Sequence, residues 1–212
     1  MHIISINCGL PKVVEYGNRS VNTGIYKSPV EGSVGVNRTG IDGDGQADLN
    51  NHGGLDKAVY IYSFDNYRYW QQQLQIDAMP HGQFGENLTV AGMQDHQVHI
   101  GDRFAVGEIV IQVTQPRVPC FKLGIRMQRA SFVKQFMRSG RVGFYVRVEE
   151  EGMLEPGSKF RCLSQDSERL TIQDAMQALL PGPQQQTVLQ RALKIDALSQ
   201  AWRDELSVKA KP

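Results

Sequence analysis

The sequence predicts a mainly β protein of the α+β class, with a few short helices and a small helical extension at the C-terminal end. Up to about residue 165, glycines separate short segments rich in β-branched and aromatic residues, a pattern typical of strands joined by tight turns. After about residue 168, glycine becomes rare and Leu, Ala and Gln dominate at helical spacing. We therefore predict a β domain over 1–165 and a three-helix extension over 168–212.

The strand pattern is clearest in GDRFAVGEIVIQVTQP, residues 101–116. Apolar and polar residues alternate on both sides of Gly107, which offers a turn, and Ile109, Ile111 and Val113 share one face. This pattern predicts a hairpin with one face in a core. The run KAVYIYS, residues 57–63, is apolar on both faces and predicts a buried strand.

Short helices are predicted where a capping residue precedes an apolar stripe. Ser63 is the expected N-cap of a helix through NYRYWQQQL, and Ser131 that of a helix ending at Gly140.

Three helices are predicted in the extension. Their expected starts are Thr171, Thr187, with Gln190 completing a capping box, and Asp196, and the PGP at 181–183 separates the first two. A bundle of about 40 residues is marginal alone, so it should pack on the β domain or on a partner.

The composition excludes several classes of protein. Hydrophobic residues make up 41% and charged residues 21%, and no run approaches the roughly 20 apolar residues of a membrane helix. The start, MHIISINCGL, lacks a basic region and predicts a strand rather than a signal peptide. A net charge of +1 gives no reason to expect nucleic acid as a partner. We expect a cytoplasmic protein that binds neither a membrane nor nucleic acid.

Three cysteines at wide spacing, an odd number, argue against a disulfide framework. Cys8 and Cys162 lie in apolar, strand-like segments and are expected to be small buried hydrophobes. Cys120 is different, because TQPRVPCFK places it after two prolines that hold the backbone extended, between Arg117 and Lys122. Nearby cations stabilise a thiolate, so Cys120 is a candidate nucleophile or soft metal ligand, with a structural buried thiol as the alternative.

Two further segments carry candidate polar residues. In NNHGGLDKAVYIY, the glycines permit close backbone approach, His52 can donate a proton or bind metal, and Lys57 can meet a phosphate. In GQFGENLTVAG, Glu86 and Asn87 precede a strand, although an ordinary turn would look the same. The acidic run GIDGDGQAD is not a calcium loop, since Ala47 stands where an EF-hand needs glycine.

In this order, GIDGDGQAD, HGGLDKAVYIY, FGENLTV, VHIGDRF and QPRVPCFKL resemble the MOSC family, which is named for the C-terminal domain of molybdenum cofactor sulfurase. The resemblance covers roughly residues 20–165 and is closest to the bacterial YiiM proteins, which are linked to resistance to hydroxylaminopurine. The C-terminal tail is similar to the three-helix extension of those proteins. The resemblance implies a closed, mostly antiparallel β-barrel with a basic pocket for the molybdenum cofactor, a molybdopterin.

The resemblance also implies the roles of individual residues. Cys120 would be the molybdenum ligand, since a thiolate suits a soft metal site. The cofactor phosphate would be bound by cations, and the pterin by hydrogen-bonding side chains. Candidates for the phosphate are Arg117, Lys122 and Lys57, and candidates for the pterin are His52, Glu86, Asn87 and Gln115.

The implied activity is reduction of N-hydroxylated compounds, such as N-hydroxylated nucleobases, in detoxification. His52 or Glu86 would deliver the proton. The chain has no flavin, pyridine-nucleotide or iron–sulfur motif, so a separate flavoprotein or similar reductase is expected as electron donor. The alternative is a carrier of sulfur or of the cofactor, with Cys120 as persulfide or ligand. A homodimer is one arrangement that the sequence leaves open.

Overall fold

A computed structural model describes residues 1–47 and 53–209 of the chain. The strands are β1 (His2–Cys8), β2 (Lys12–Tyr16), β3 (Arg19–Thr23), β4 (Ser28–Val30), β5 (Val34–Asn37), β6 (Gly40–Ile41), β7 (Val59–Ser63), β8 (Leu88–Ala91), β9 (Arg103–Val106), β10 (Ile109–Pro116), β11 (Phe144–Glu150), β12 (Gly152–Leu154) and β13 (Phe160–Ser164). The helices are α1 (Phe64–Leu74), α2 (Phe121–Arg126), α3 (Phe132–Ser139), α4 (Ile172–Met176), α5 (Gln185–Lys194) and α6 (Gln200–Lys209), with 3-10 turns at Leu55–Lys57 and Gln177–Leu179.

One large sheet dominates the fold, as the predicted α+β class requires. Its eight strands run in the order β13-β9-β10-β11-β7-β8-β1-β4, and only the β7–β8 pair is parallel. Strands β12, β5 and β6 form a second small sheet, and β2 and β3 form a separate hairpin.

The sheet is not the closed barrel that the resemblance implied. Within residues 1–47 and 53–209, no ladder joins the edge strands β13 and β4. The sheet does curve back on itself, because an isolated bridge between His2 and Lys159 brings β1 beside the start of β13. Closure stops there, because the next part of β1 pairs with another strand. Ile6, Asn7 and Cys8 pair with β4 and are therefore not available to extend a ladder to β13.

The 101–116 hairpin is confirmed, with Ile109 opposite Val106 across the turn. The expectation that β10 buries only one face is wrong, because Val110 and Thr114 are buried as well as Ile109, Ile111 and Val113. At Thr114 this second face meets the 3-10 turn Leu55–Lys57, since the Thr114 hydroxyl lies 2.6 Å from the carbonyl of Asp56. The predicted strand at 57–63 is confirmed as β7, all of whose residues are buried.

Most predicted helix ends are confirmed. Ser63 caps α1 by accepting from Asp65 N, Gly140 ends α3 in a left-handed conformation with φ 66°, and Thr171 caps α4 by accepting from Asp174 N. Ser131 stands at the N-cap of α3, but its side chain makes no capping hydrogen bond.

Two predicted helix starts in the extension are wrong. The helix α5 begins at Gln185, so Thr187 lies in its first turn and forms no capping box. The helix α6 begins at Gln200 rather than near Asp196, because the hydroxyl of Ser199 accepts from Trp202 N at 3.2 Å and caps the helix there. Residues of α4, α5 and α6, including the buried Trp202, belong to the same apolar cluster as the strands of the large sheet.

Candidate functional site

A single cavity gathers most of the polar residues that the sequence singled out. It encloses about 630 Å³, including the part open to solvent. One wall is formed where the end of β3 meets the loop after β6. That approach requires glycine, since a Cβ at Gly24 would lie 2.5 Å from the carbonyl oxygen of Gly45.

Five of the predicted site residues line this cavity: Lys57, Asn87, Arg117, Cys120 and Lys122. Lys57 ends the 3-10 turn before β7, Asn87 precedes β8, and the other three follow β10 within six residues. The folding of distant segments therefore brings one thiol, three cations and an amide to one place. Gln115 and Glu86 are buried outside the lining, and His52 lies outside the described residues.

Cys120 stands at the point where the chain changes from extended to helical. Pro116 is the last residue of β10, and the Arg117 N–H donates to the carbonyl of Gly143 over 3.0 Å. Cys120 has an extended backbone, with φ −118° and ψ 174°, and α2 begins at the next residue. The thiol is therefore held on a short rigid segment between a strand and a helix.

Arg117 is a buried cation with an open donor. Only 6% of the residue is exposed, and its guanidinium lies 5.2 Å from the ring centre of Tyr60 and 5.3 Å from that of Phe136. Among residues 1–47 and 53–209, its Nη1 finds no hydrogen-bond partner. Burial works to lower the pKa of Arg117, but the oxygens of Tyr60 and Tyr145 raise it and the net shift is upward, so the side chain stays charged. A buried, charged and incompletely satisfied donor favours an anionic ligand.

Lys27 and Asp44 also line the cavity, and neither was predicted as a site residue. They form a buried ion pair between Lys27 Nζ and Asp44 Oδ1. Asp44 also accepts from the Gly9 N–H at 2.9 Å and from Asn87 Nδ2 at 2.8 Å. No local pattern marks these residues, since the lysine lies between two short strands and the aspartate lies in an acidic run that fails as a calcium loop.

Two tyrosines form the aromatic part of the lining. The ring centres of Tyr60 and Tyr145 are 5.3 Å apart, and their strands pair directly. Burial raises the pKa of both phenols, although Arg117 works to lower it, so both are neutral donors at physiological pH. The Tyr60 hydroxyl donates to the carbonyl of Val142 at 2.8 Å.

Glu86, predicted as a proton donor, instead organises the loop behind the cavity. Its carboxylate accepts from Gly82 N at 2.9 Å, Phe84 N at 3.1 Å and Thr89 Oγ1 at 2.8 Å, and from the Tyr67 hydroxyl. With these contacts it is completely buried. Its position is that of a residue that shapes the loop carrying Gly85 and Asn87.

The other two cysteines lie elsewhere. Cys8 is buried at the end of β1, and burial, with a smaller effect of Asp44, raises the pKa of its thiol to about 11. Cys162 is exposed, contrary to the prediction, because the edge strand β13 has solvent on its outer side.

The buried carboxyl group of Asp95 fixes the loop that meets Arg117. Asp95 Oδ1 accepts from Val142 N at 2.9 Å and from Gly143 N at 2.6 Å, and Oδ2 accepts from Asn66 Nδ2 at 2.7 Å. Because the carbonyl of Gly143 accepts the Arg117 N–H, Asp95 helps to set the position of Arg117.

Asp95 should make stability depend on pH. Burial raises the pKa of its carboxyl group above the usual value, and the hydrogen bonds from Asn66 and Gly143 oppose that shift. The folded protein then binds the proton more tightly than the unfolded chain. The free energy of unfolding should therefore fall as pH rises from the unfolded pKa, about 3.9, to the raised folded value, and then level off. Asp95→Asn should flatten this dependence, as urea denaturation between about pH 4 and pH 8 would measure. Equal slopes in the two proteins would contradict it.

The fold and the cavity together define a mainly β-sheet protein in which a thiol and several cations line one cavity. Comparison with known families places the chain more closely: residues 48–161 match the MOSC domain, and residues 170–207 match the YiiM-like 3-alpha helix domain. The chain belongs to the MOSC family and, within it, has the architecture of the YiiM-like proteins.

Three related proteins and one solved structure illustrate the similarity of the chain to this family. The chain is 40% identical over 201 residues to the uncharacterized protein YflK of Bacillus subtilis, covering 95% of this chain and 90% of that protein. It is 32% identical to Protein YiiM of Escherichia coli, over 84% of this chain and 80% of that one. It is 35% identical to a protein named Reductase from Gibberella moniliformis, over 68% of this chain but only 26% of the fungal protein. The crystal structure of YiiM from Geobacillus stearothermophilus superposes with a TM-score of 0.83 at 30% identity, covering 99% of both chains.

Within the described part of the chain, no helix is both long enough and apolar enough to cross a bilayer.

Proposed function

We propose that the protein is a molybdenum-cofactor-dependent reductase of N-hydroxylated compounds. The observation that carries this proposal is the meeting, in one cavity, of the Cys120 thiol with the buried Arg117, whose Nη1 has no partner within the described part of the chain. A thiolate is a soft metal ligand, and the open guanidinium donor suits an anion. Membership of the MOSC family and the fungal relative named Reductase support the same kind of chemistry.

The residues of the cavity fit the cofactor. Cys120 would hold the molybdenum through its thiolate. Arg117, Lys57 and Lys122 would hold the phosphate. Asn87, predicted for the pterin, lines the cavity, but its amide already accepts from Tyr60 N and donates to Asp44 Oδ2. When bound, the cofactor would supply the two electrons that, with two protons, convert an N-hydroxyl group into an amine and water.

The protein's own part is orientation and proton supply. Tyr145 presents a neutral phenol to the cavity, and Lys27 presents an ammonium group whose position is fixed by Asp44. In this proposal they replace Glu86 as the groups that hydrogen-bond the substrate oxygen, because Glu86 does not line the cavity. The rings of Tyr60 and Tyr145 offer an apolar face for a planar base.

Electrons must reach the site from another protein in this proposal, since the sequence carries no flavin, pyridine-nucleotide or iron–sulfur motif. The fungal relative named Reductase is consistent with this, because the chain corresponds to only 26% of that longer protein. A separate flavoprotein reductase, or one of similar chemistry, is the partner we propose.

The test begins with protein purified from cells that make the cofactor. Molybdenum per chain should approach about one, as one cavity with one thiol ligand implies. Reduction of an N-hydroxylated purine should then depend on NAD(P)H and an added flavoprotein reductase. Inactivity of molybdenum-loaded protein with every donor tried would overturn the proposal. Cyanide-labile sulfur on Cys120 would point to the carrier function instead.

A further inference from the structure

Residues 197–200, just before and at the start of α6, contact two segments that carry cavity residues. One segment is the 3-10 turn Leu55–Lys57, which presents Lys57 to the cavity. The other is the end of β10, from which the chain continues to Arg117 and Cys120. The contacts are made behind the cavity wall by residues that do not line it.

Asp56 anchors the first segment. Its Oδ1 accepts from Arg147 Nε at 3.0 Å and lies 2.7 Å from Arg147 Nη2, and its Oδ2 accepts from the Gln200 N–H at 3.2 Å. A carboxylate is stabilised at the first turn of a helix, so the start of α6 favours this arrangement. Arg147 also donates to the carbonyl of Ala197 at 2.9 Å, and the Thr114 hydroxyl lies 2.6 Å from the carbonyl of Asp56.

Ser199 anchors the second segment. Its hydroxyl donates to Gln115 Oε1 at 2.6 Å while it accepts from Trp202 N, and its N–H donates to the carbonyl of Thr114. The Gln115 side chain is completed by a bond from Nε2 to the carbonyl of Pro116 at 3.3 Å. These bonds use the Gln115 amide, which the sequence suggested for the pterin, inside the protein.

We infer that the C-terminal extension is a positioning element of the cavity, and that Asp56 and Ser199 are the positioning residues through which it acts. It holds Lys57 and Arg117, which belong to different segments, in the lining of the same cavity. A cation held in place binds an anion without first losing side-chain and backbone freedom, so the anchors should raise affinity. The part of this inference that concerns the cofactor rests on the proposed function.

The test compares Asp56→Asn/Ser199→Ala with a matched control, Glu149→Gln/Thr171→Ala. The control removes an ion pair of the same 2.7 Å length on the same strand as Arg147, together with an N-cap in the same extension. Both double variants lose similar contacts, so their melting temperatures should fall by similar amounts, and only the first should disturb the cavity.

Two measurements separate a positioning role from a structural one. The first is molybdenum per chain after purification, expected to fall about tenfold in Asp56→Asn/Ser199→Ala and to stay unchanged in the control. The second is amide hydrogen exchange in the cofactor-free protein, expected to be about tenfold faster over residues 53–58 and 114–120 in the first variant only.

Each outcome decides the inference. Unchanged exchange in both segments, or equal molybdenum loss in both double variants, overturns it. Faster exchange with full molybdenum content reduces the extension to a structural support and overturns the positioning role. Wild-type protein without molybdenum would contradict the proposed function, whereas the exchange measurement would still decide whether the extension holds the cavity walls. If the first double variant does not fold, Ser199→Ala alone is compared with Thr171→Ala.

Discussion

Replacing Cys120 by serine is expected to lower both the molybdenum content and the turnover of the proposed reductase by about 100-fold or more. The hydroxyl is nearly the same size as the thiol but is not a soft anionic ligand at neutral pH. The fold should be unaffected, because the bond that Cys120 provides to the first turn of α2 comes from its backbone carbonyl, which serine retains. Metal analysis and a steady-state assay of the purified variant measure both quantities.

Cys162→Ser is the matched control, since the same atom is changed on an exposed strand away from the cavity. It should keep full metal content and activity. Retention of both metal and turnover by Cys120→Ser would exclude Cys120 as the metal ligand. Loss of turnover with full metal content would instead indicate a nucleophilic role for the thiol.

Replacing Arg117 by methionine is expected to reduce cofactor content by about tenfold to 100-fold while changing the free energy of unfolding by no more than about 1 kcal/mol. The substitution removes the contacts between the guanidinium and the rings of Tyr60 and Phe136, which lowers the free energy of unfolding. It also removes the buried Nη1 that has no partner among the described residues, which raises the free energy of unfolding, so the two effects offset each other. Such a residue would be retained for binding rather than for stability. Metal analysis measures the cofactor content, and urea denaturation of the cofactor-free protein measures the free energy of unfolding.

Arg141→Met provides the contrast. Arg141 lies 4.6 Å from the ring centre of Tyr69, and its Nη1 donates to Asn66 Oδ1 at 3.1 Å, outside the cavity. Its loss should lower the free energy of unfolding by about 1–2 kcal/mol and leave the metal content unchanged. If Arg117→Met is the more destabilising of the two and retains the cofactor, Arg117 has a structural role and the proposed anion site is wrong.

Local patterns were sufficient for many elements of the fold. The hairpin around Gly107, the buried strand of residues 59–63 and the caps at Ser63 and Thr171 depend on side chains within a few residues of each other, and the structure confirms them. The capping box at Thr187 failed because the helix extends further toward its N-terminus than the Thr–Gln spacing suggests.

Contacts distant in sequence account for what the patterns missed. Lys27 is 17 residues from Asp44, and the pair becomes visible only when the loops that carry them meet at the cavity. The start of α6 depends on Ser199, whose hydroxyl also reaches Gln115, 84 residues earlier. The edge of β1 is divided between β4 and the turn before β13, so the expected barrel stays open.

The sequence by itself determined the α+β class, the change to helices near residue 168, and the stiff setting of Cys120 among prolines and cations. These follow from backbone preferences and side-chain spacing, which act over a few residues. Only the tertiary structure decided which polar groups share a cavity, that Glu86 and Gln115 are used inside the protein, and that Lys27 and Asp44 join the lining. Burial is the reason for this difference. A buried polar group forms hydrogen bonds with the groups that the fold brings next to it, and these can be distant in sequence.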